Sequence, residues 1–308
     1  MFGVFSKKKE VASHAIPLSP GLRTTMATFL GVRGVPPLPA SAQRSFKLAT
    51  DPNASARDFI EAIESDEGLS ARIIKISNSV YFDRGTPSRN IEESVNKIGL
   101  NELRCILNAN SLPELLPSHH RIRPQLWTND LATAIISREL SSTLGTNDGS
   151  TAFLAGLMHD IGKLLLLQRD DEEYEKVTKL VSQQPYDFCK AEEDIFAFNH
   201  CELGQLMAEK WNFPAEIRAV IREHHRPWKE LPQKRGNTSL VAIVKLADLL
   251  SHTLGLGHGS GFSDFQVRCD EEIDEGLKSI GIAVSQKKAI LSRCAAAFEN
   301  ETEMYTFK

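Results

Sequence analysis

Thr151-Ala152-Phe153-Leu154-Ala155-Gly156-Leu157-Met158-His159-Asp160-Ile161-Gly162-Lys163-Leu164-Leu165-Leu166-Leu167 is the stretch on which the fold turns. It is apolar nearly all round, so a helix built from it has no face to offer water and must run through the middle of a helical domain. Into this apolar run the chain sets an imidazole, a carboxylate and an ammonium, at His159, Asp160 and Lys163. Burying an unpaired carboxylate is costly, so Asp160 requires a cation, a metal ion or several hydrogen-bond donors. A hydrogen-bonded His-Asp-Lys core network would meet that need, and so would a metal site.

Working outward, other segments aim similar side chains at the same interior. His200 follows Asn199, a good N-cap, and opens a helix that continues toward Trp211. Pro214 is a favoured first-turn residue, and Ile217, Val220, Ile221 and His224 then share one apolar stripe, so His224 faces inward. His225 is rotated from it by roughly 100°, which lets the two imidazoles serve neighbouring positions of one cavity. Val241, Val244 and Asp248 recur at helical spacing and bring a second acid to a buried face. The candidate metal ligands are therefore His159, Asp160, His200, His224, His225 and Asp248. Nitrogen and oxygen donors of this kind suit Fe, Mn, Zn or Ni, and two such ions polarise a phosphate and activate a water. His14, His119, His120, His252 and His258 stand in polar or glycine-rich surroundings and are expected at the surface.

The remaining sequence is a series of helices. Residues 1 to 20 read as a flexible lead-in, and the prolines of Gly34-Val35-Pro36-Pro37-Leu38-Pro39 break any helix there. A capping box at Ser55 and Asp58 predicts a helix over 56 to 65, and Ser65-Asp66 caps the next, carrying Leu69, Ile73, Ile76 and Val80. Ile91, Val95 and Ile98 repeat until Gly99, and Leu103, Ile106 and Leu107 resume. A proline-bearing loop over 112 to 124 separates an N-terminal helical half, 21 to 112, from a second half over 113 to 255. Further helices are predicted over 126 to 144, 200 to 211, 215 to 225, 238 to 254 and 285 to 299. Residues 256 to 308 comprise a glycine-rich stretch, expected to be mobile, and C-terminal helices. No two-residue alternation signals a sheet, so the fold class is all-α, multi-helical.

The 308 residues are 41% hydrophobic, enough for a packed core. A net charge of -4 with signs interspersed gives no broad positive field, and nucleic acid is not the expected partner. No apolar run of transmembrane length and no leader sequence is read, so the expectation is a cytoplasmic protein with no membrane partner. Five cysteines, at 105, 189, 201, 269 and 294, are scattered and form no Cys-x-x-Cys pair, which argues against a disulfide framework and a zinc ribbon.

His159-Asp160 and Asp248 resemble the doublet and final acid of the HD superfamily of metal-dependent phosphohydrolases. His200, His224 and His225 are similar to the extra ligands of its two-metal branch, the cyclic di-GMP phosphodiesterases, and Lys163 matches that branch's lysine, which implies a phosphate contact. Related sequences read Trp-x-His-Ser where this chain has Trp127-Thr128-Asn129-Asp130, so Asn129 stands in place of the first histidine, and Arg226-Pro227-Trp228 departs from the phosphodiesterase pattern. Asp130 is one helical residue away and points about 100° elsewhere. Pro37-Leu38-Pro39, Ala62 to Asp66, Leu69 to Ser79 and Ile98-Gly99 resemble the HDOD, or HD-related output, domain over residues 25 to 225.

That resemblance implies a signalling module, usually without demonstrated catalysis, acting through a partner signalling protein or a small phosphorylated ligand. The alternative is a phosphohydrolase or phosphodiesterase acting on a nucleotide or cyclic dinucleotide, with a divalent transition metal as cofactor. A third reading takes residues 56 to 79 as a helix-turn-helix contacting DNA through Arg72 and Lys75, on a helix that also carries Ile73, Ile74 and Ile76. Asn78 is expected to bond a neighbouring backbone.

Overall fold

The computed structural model describes residues 17–305, apart from 52, 83, 147–148, 185, 232–237 and 260. His14 and the lead-in through residue 16 lie outside the described residues. Among those described there is no strand, and the all-α expectation holds. The N-terminal half contains α1 (Pro20–Leu30), α2 (Ala40–Thr50), α3 (Ala56–Glu64), α4 (Glu67–Ser77), α5 (Ile91–Ile98) and α6 (Leu100–Leu115). The second half contains α7 (Arg123–Thr143), α8 (Gly149–Met158), α9 (Ile161–Arg169), α10 (Asp171–Gln183), α11 (Phe188–Phe196), α12 (His200–Lys210), α13 (Ala215–Glu223) and α14 (Leu240–Thr253). Two more helices follow, α15 (Ser263–Ser279) and α16 (Lys287–Tyr305).

Local chemistry starts and stops these helices. The capping box at α3 forms, with Asp58 N reaching Ser55 Oγ at 3.4 Å and the Asp58 carboxylate accepting from Ser55 N at 2.7 Å. Asp66 caps α4 and Asn90 caps α5 by accepting third-residue amides. Asn199 and Glu202 form a second capping box at α12, which sets His200 at the first helical position. Asn78 bonds the Ser88 backbone through both ends of its amide, at 2.9 and 2.7 Å, and so pins the loop after α4.

Four boundaries differ from the expectation. The apolar stretch is two helices, because His159 and Asp160 form a turn between α8 and α9, with Asp160 at φ -102°, ψ 17°. The expected loop from 112 is helical to Leu115, and Pro124 is absorbed into the first turn of α7, where its missing amide costs nothing. α4 ends at Ser77 and leaves Val80 exposed. α13 ends at Glu223, so His224 and His225 lie in the turn behind it. α10 and α11 were not among the helices expected from the sequence.

α7 lies between α8 and α14, and α16 packs along it. Arg138 of α7, largely buried, bonds Glu102 of α6 at 2.8 Å and also Glu301 of α16, joining three segments distant in sequence. The Pro36 to Pro39 strap crosses between the halves: Trp211 Nε1 donates to Pro36 O at 2.9 Å and Lys210 Nζ to Val35 O at 2.7 Å. Gly149–Arg169 is long and apolar enough by composition to cross a membrane, but 89% of its apolar stretch is buried inside the fold.

Candidate metal centre

The turn between α8 and α9 hands two ligand-type side chains to the interior. The Gly156 carbonyl can only accept, so His159 Nδ1–H donates to it at 2.7 Å and the Nε2 lone pair points the other way. His224 repeats the device on Val220 O at 3.0 Å. His200 Nδ1 lies 2.6 Å from Glu192 Oε2, a carboxylate with no exposure to solvent. Three imidazoles are thus fixed from behind by carbonyl or carboxylate, the arrangement that orients metal-binding histidines.

Their free nitrogens converge on two acids. His200 Nε2 is 3.1 Å and His224 Nε2 3.4 Å from Asp160 Oδ1, while His159 Nε2 is 3.3 Å from Asp160 Oδ2 and 3.4 Å from Asp248 Oδ1. Lys163 Nζ bonds Asp160 and sits 4.3 Å from the centre of the Phe188 ring. The approach that permits this is backbone to backbone: a Cβ at Gly162 would stand 2.0 Å from the His200 carbonyl oxygen. All six ligand candidates and Lys163 therefore meet in one buried cluster. His225 joins it with Nε2 buried and without a hydrogen-bond partner among the described residues.

Two readings of the sequence are corrected here. Asp130, and not Asn129, faces His159 and Asp160, with one ligand atom from each of the three within 4.8 Å of the others. Asn129 turns to α14, donating to Ser251 Oγ at 2.8 Å and approaching His252 Nδ1 at 3.4 Å. The helical rotation that separates the two residues is what brings Asp130 to the centre. His252 and His258 are not surface residues. His252 Nε2 is 3.1 Å from Asp248 Oδ1, and His258 Nε2 is 2.6 Å from His252 Nδ1. Spacing held the signal for His252, because it is four residues after Asp248 and so on the same face. His119 remains exposed, and His120 is half-buried, 3.6 Å from Glu175.

The glycine-rich stretch, expected to be mobile, is seated against α7: a Cβ on Gly257 would lie 2.6 Å from both Asn129 Cβ and Gln125 O. From that seat His258 stacks on Phe262, ring centres 4.7 Å apart, and on His252 at 4.6 Å. With Phe188 these rings wall off Lys163, leaving a cavity of about 20 Å³.

The electrostatics fit a cation. Asp130, Asp160 and Asp248 are all nearly inaccessible, and both Asp130 oxygens lack a hydrogen-bond partner among the described residues. Burial pushes the Asp130 carboxyl up to about 7, against the attraction of His159. Burial works against the His159 cation, yet Asp160 and Asp248 lift its pKa to about 10, so a proton holds charge there in the metal-free chain. Asp160 and Asp248 are themselves depressed well below the usual carboxylate range, burial notwithstanding, by facing imidazoles and, at Asp160, Lys163. Burial and the neighbouring His224 hold His225 neutral. Once His159 gives up its proton, three acids around one lysine leave negative charge for a divalent ion, and His159, Asp160, Asp248 and Asp130 would hold one, with His200, His224 and His225 extending the set.

Comparison with known proteins places this architecture. The HDOD domain family model matches residues 35–227, more than half of the chain. The chain belongs to the HDOD family. An HDOD domain protein of unknown function from Geobacter sulfurreducens shares its fold at TM-score 0.69 and 24% identity, covering 92% of this chain and 95% of that one. A candidate signal-transduction protein from Marinobacter aquaeolei VT8 does so at 0.68 and 19%, covering 92% and 64%. A candidate phosphohydrolase from Shewanella amazonensis SB2B aligns at 0.64 and 20%, covering 88% and 93%. Among curated sequences, an uncharacterized Treponema pallidum protein is 25% identical over 195 residues, which span 62% of this HDOD chain and 37% of that longer protein. Solved structures of this fold thus carry both signalling and phosphohydrolase names.

Proposed function

We propose that this HDOD chain is a non-catalytic signalling module of the cytoplasm, in which the His and Asp centre holds the fold together, with or without a metal ion, and output passes through a partner protein. The closed centre carries this reading. A space of about 20 Å³ beside Lys163 accommodates roughly one water, against the several hundred Å³ of an ordinary ligand pocket. Phe188, His252 and His258 line this space with Lys163, and as it stands the space is too small for a phosphodiester. A cleft of about 280 Å³ opens instead where the Leu38 strap and Phe46 of α2 face Trp211, Phe213 and Ile217. Its apolar walls suit the side chains of a partner protein, and it joins the two halves of the domain.

The convergence of imidazoles fixed from behind supports a second reading, a metal-dependent phosphohydrolase. A divalent ion there would polarise a phosphoryl oxygen and acidify a water. Lys163 would have to leave Asp160, and the His258 segment would have to lift, before either met a phosphate. The test is a screen of nucleotides, cyclic dinucleotides and simple phosphodiesters with protein loaded with Mn(II), Fe(II), Ni(II) or Zn(II), beside Asp160→Ala. The expected result is turnover no faster than the variant's. Turnover abolished by Asp160→Ala and by Asp248→Ala overturns the signalling reading.

A further inference from the structure

The cysteines are not all scattered in space. Cys189 is the second residue of α11 and Cys201 the second residue of α12, and the docking of the two helices brings the two side chains together. One ligand atom from each of Cys189, Cys201, His200 and His225 lies within 4.8 Å of the others. We propose that these four residues form a zinc site, separate in its donor chemistry from the carboxylate group around His159. The sequence reading, which set zinc-binding cysteines aside for want of a local Cys-x-x-Cys, missed it because helix packing across eleven intervening residues makes the pair.

Three features point to a metal ion. Two sulfurs with two imidazole nitrogens are a tetrahedral Zn(II) donor set, and thiolate selects Zn(II) over the harder Mn(II) or Mg(II) that carboxylates accept. Cys201 lies in the first turn of α12, where the amide dipoles favour the thiolate form that binds metal. His225 Nε2 is buried and has no hydrogen-bond partner among the described residues. Cys201 is buried, while Cys189 and His225 are only partly buried, so this end of the cluster lies nearer the surface than Asp160 does.

Because the set borrows His200 and His225 from the Asp160 group, an ion at the sulfur end claims the imidazoles that a second ion of a two-metal hydrolase would need. The proposal stands apart from the signalling reading. It requires neither turnover nor an ion between His159 and Asp248.

The experiment uses tag-free, reduced full-length protein loaded with Co(II) or Zn(II). Co(II) is expected to give a thiolate-to-metal charge-transfer band that Cys189→Ser and Cys201→Ser each remove. Cys269→Ser, outside the set, is expected to keep it. Zn(II) affinity is expected to fall at least about 10 to 100-fold in either ligand variant, as losses even behind a metal's own ligands do. Zn(II) is also expected to protect Cys189 from alkylation until a chelator is added. Should Cys201→Ser fail to fold, Cys189→Ser, at a partly buried position, reads the same site. No charge-transfer band in the wild type, a band that survives Cys189→Ser, or a Cys189–Cys201 disulfide in the reduced, metal-loaded protein overturns the proposal. Turnover in the phosphodiester screen would reject the signalling reading and leave this one standing.

Discussion

Asp130→Asn isolates the electrostatic cost of the centre. The Asp130 carboxyl is buried, its oxygens lack hydrogen-bond partners among the described residues, and its pKa is raised from 3.8 to about 7. An acid whose folded-state pKa is raised binds its proton more tightly in the native state, so stability falls as pH climbs from about 4 to about 7 and is level above that. Three pH units at about 1.4 kcal/mol each set an upper bound of about 4 kcal/mol for the ionised form at pH 8. Asn keeps the shape and removes the charge. In chelator, Asp130→Asn is expected to gain up to about 4 kcal/mol in urea unfolding at pH 8, with the gain shrinking toward zero near pH 4. Saturating divalent metal should reverse the sign, because the wild type gains binding free energy that the variant forfeits. A variant no more stable than wild type at pH 8, or a gain that does not change with pH, refutes the reasoning.

Metal uptake should be proton-coupled. With His159 protonated up to about pH 10 by Asp160 and Asp248, affinity for a divalent ion at that group is expected to rise about tenfold per pH unit between pH 7 and 9, and more steeply below pH 7, where Asp130 must also lose its proton. Titration calorimetry in buffers of different ionisation enthalpy checks this, and a flat profile contradicts it. Gly162→Ala drives a methyl into the His200 carbonyl and is expected to cost more than about 4 kcal/mol by thermal unfolding and to abolish metal stoichiometry. Gly68→Ala, which meets only the Asp66 side chain at 3.4 Å, should gain about 0.5–1 kcal/mol.

Caps and periodicity carried much of the fold. Ser55 with Asp58, Asp66, Asn199 with Glu202 and Gly99 each act within four residues of themselves, so their effects are local and legible. The break at His159–Asp160 was invisible to hydropathy, because both sides of the turn are equally buried and only the hydrogen bonds of the turn distinguish it. The ligand candidates were readable as inward residues of particular helices. Which neighbours share an ion was not. The rotation that presents Asp130 and withdraws Asn129 depends on where α7 meets α14. The pairing of Cys189 with Cys201 depends on how α11 and α12 dock. His258 was misplaced for another reason: glycines on both sides suggest freedom, whereas Gly257 serves close contact.

That contact bears on time as well as on shape. Gly257, at φ +86°, lies flat on α7, and His258 reaches from it across the approach to Asp248. An ion between His159 and Asp248 that left on this side would wait for the segment to lift, so its residence would be governed by the rate of a backbone opening as well as by the strength of the ligands. Chains that fold around an ion and chains that fold without one would then exchange slowly. The metal content of a purified sample becomes a record of the conditions in which the chain folded.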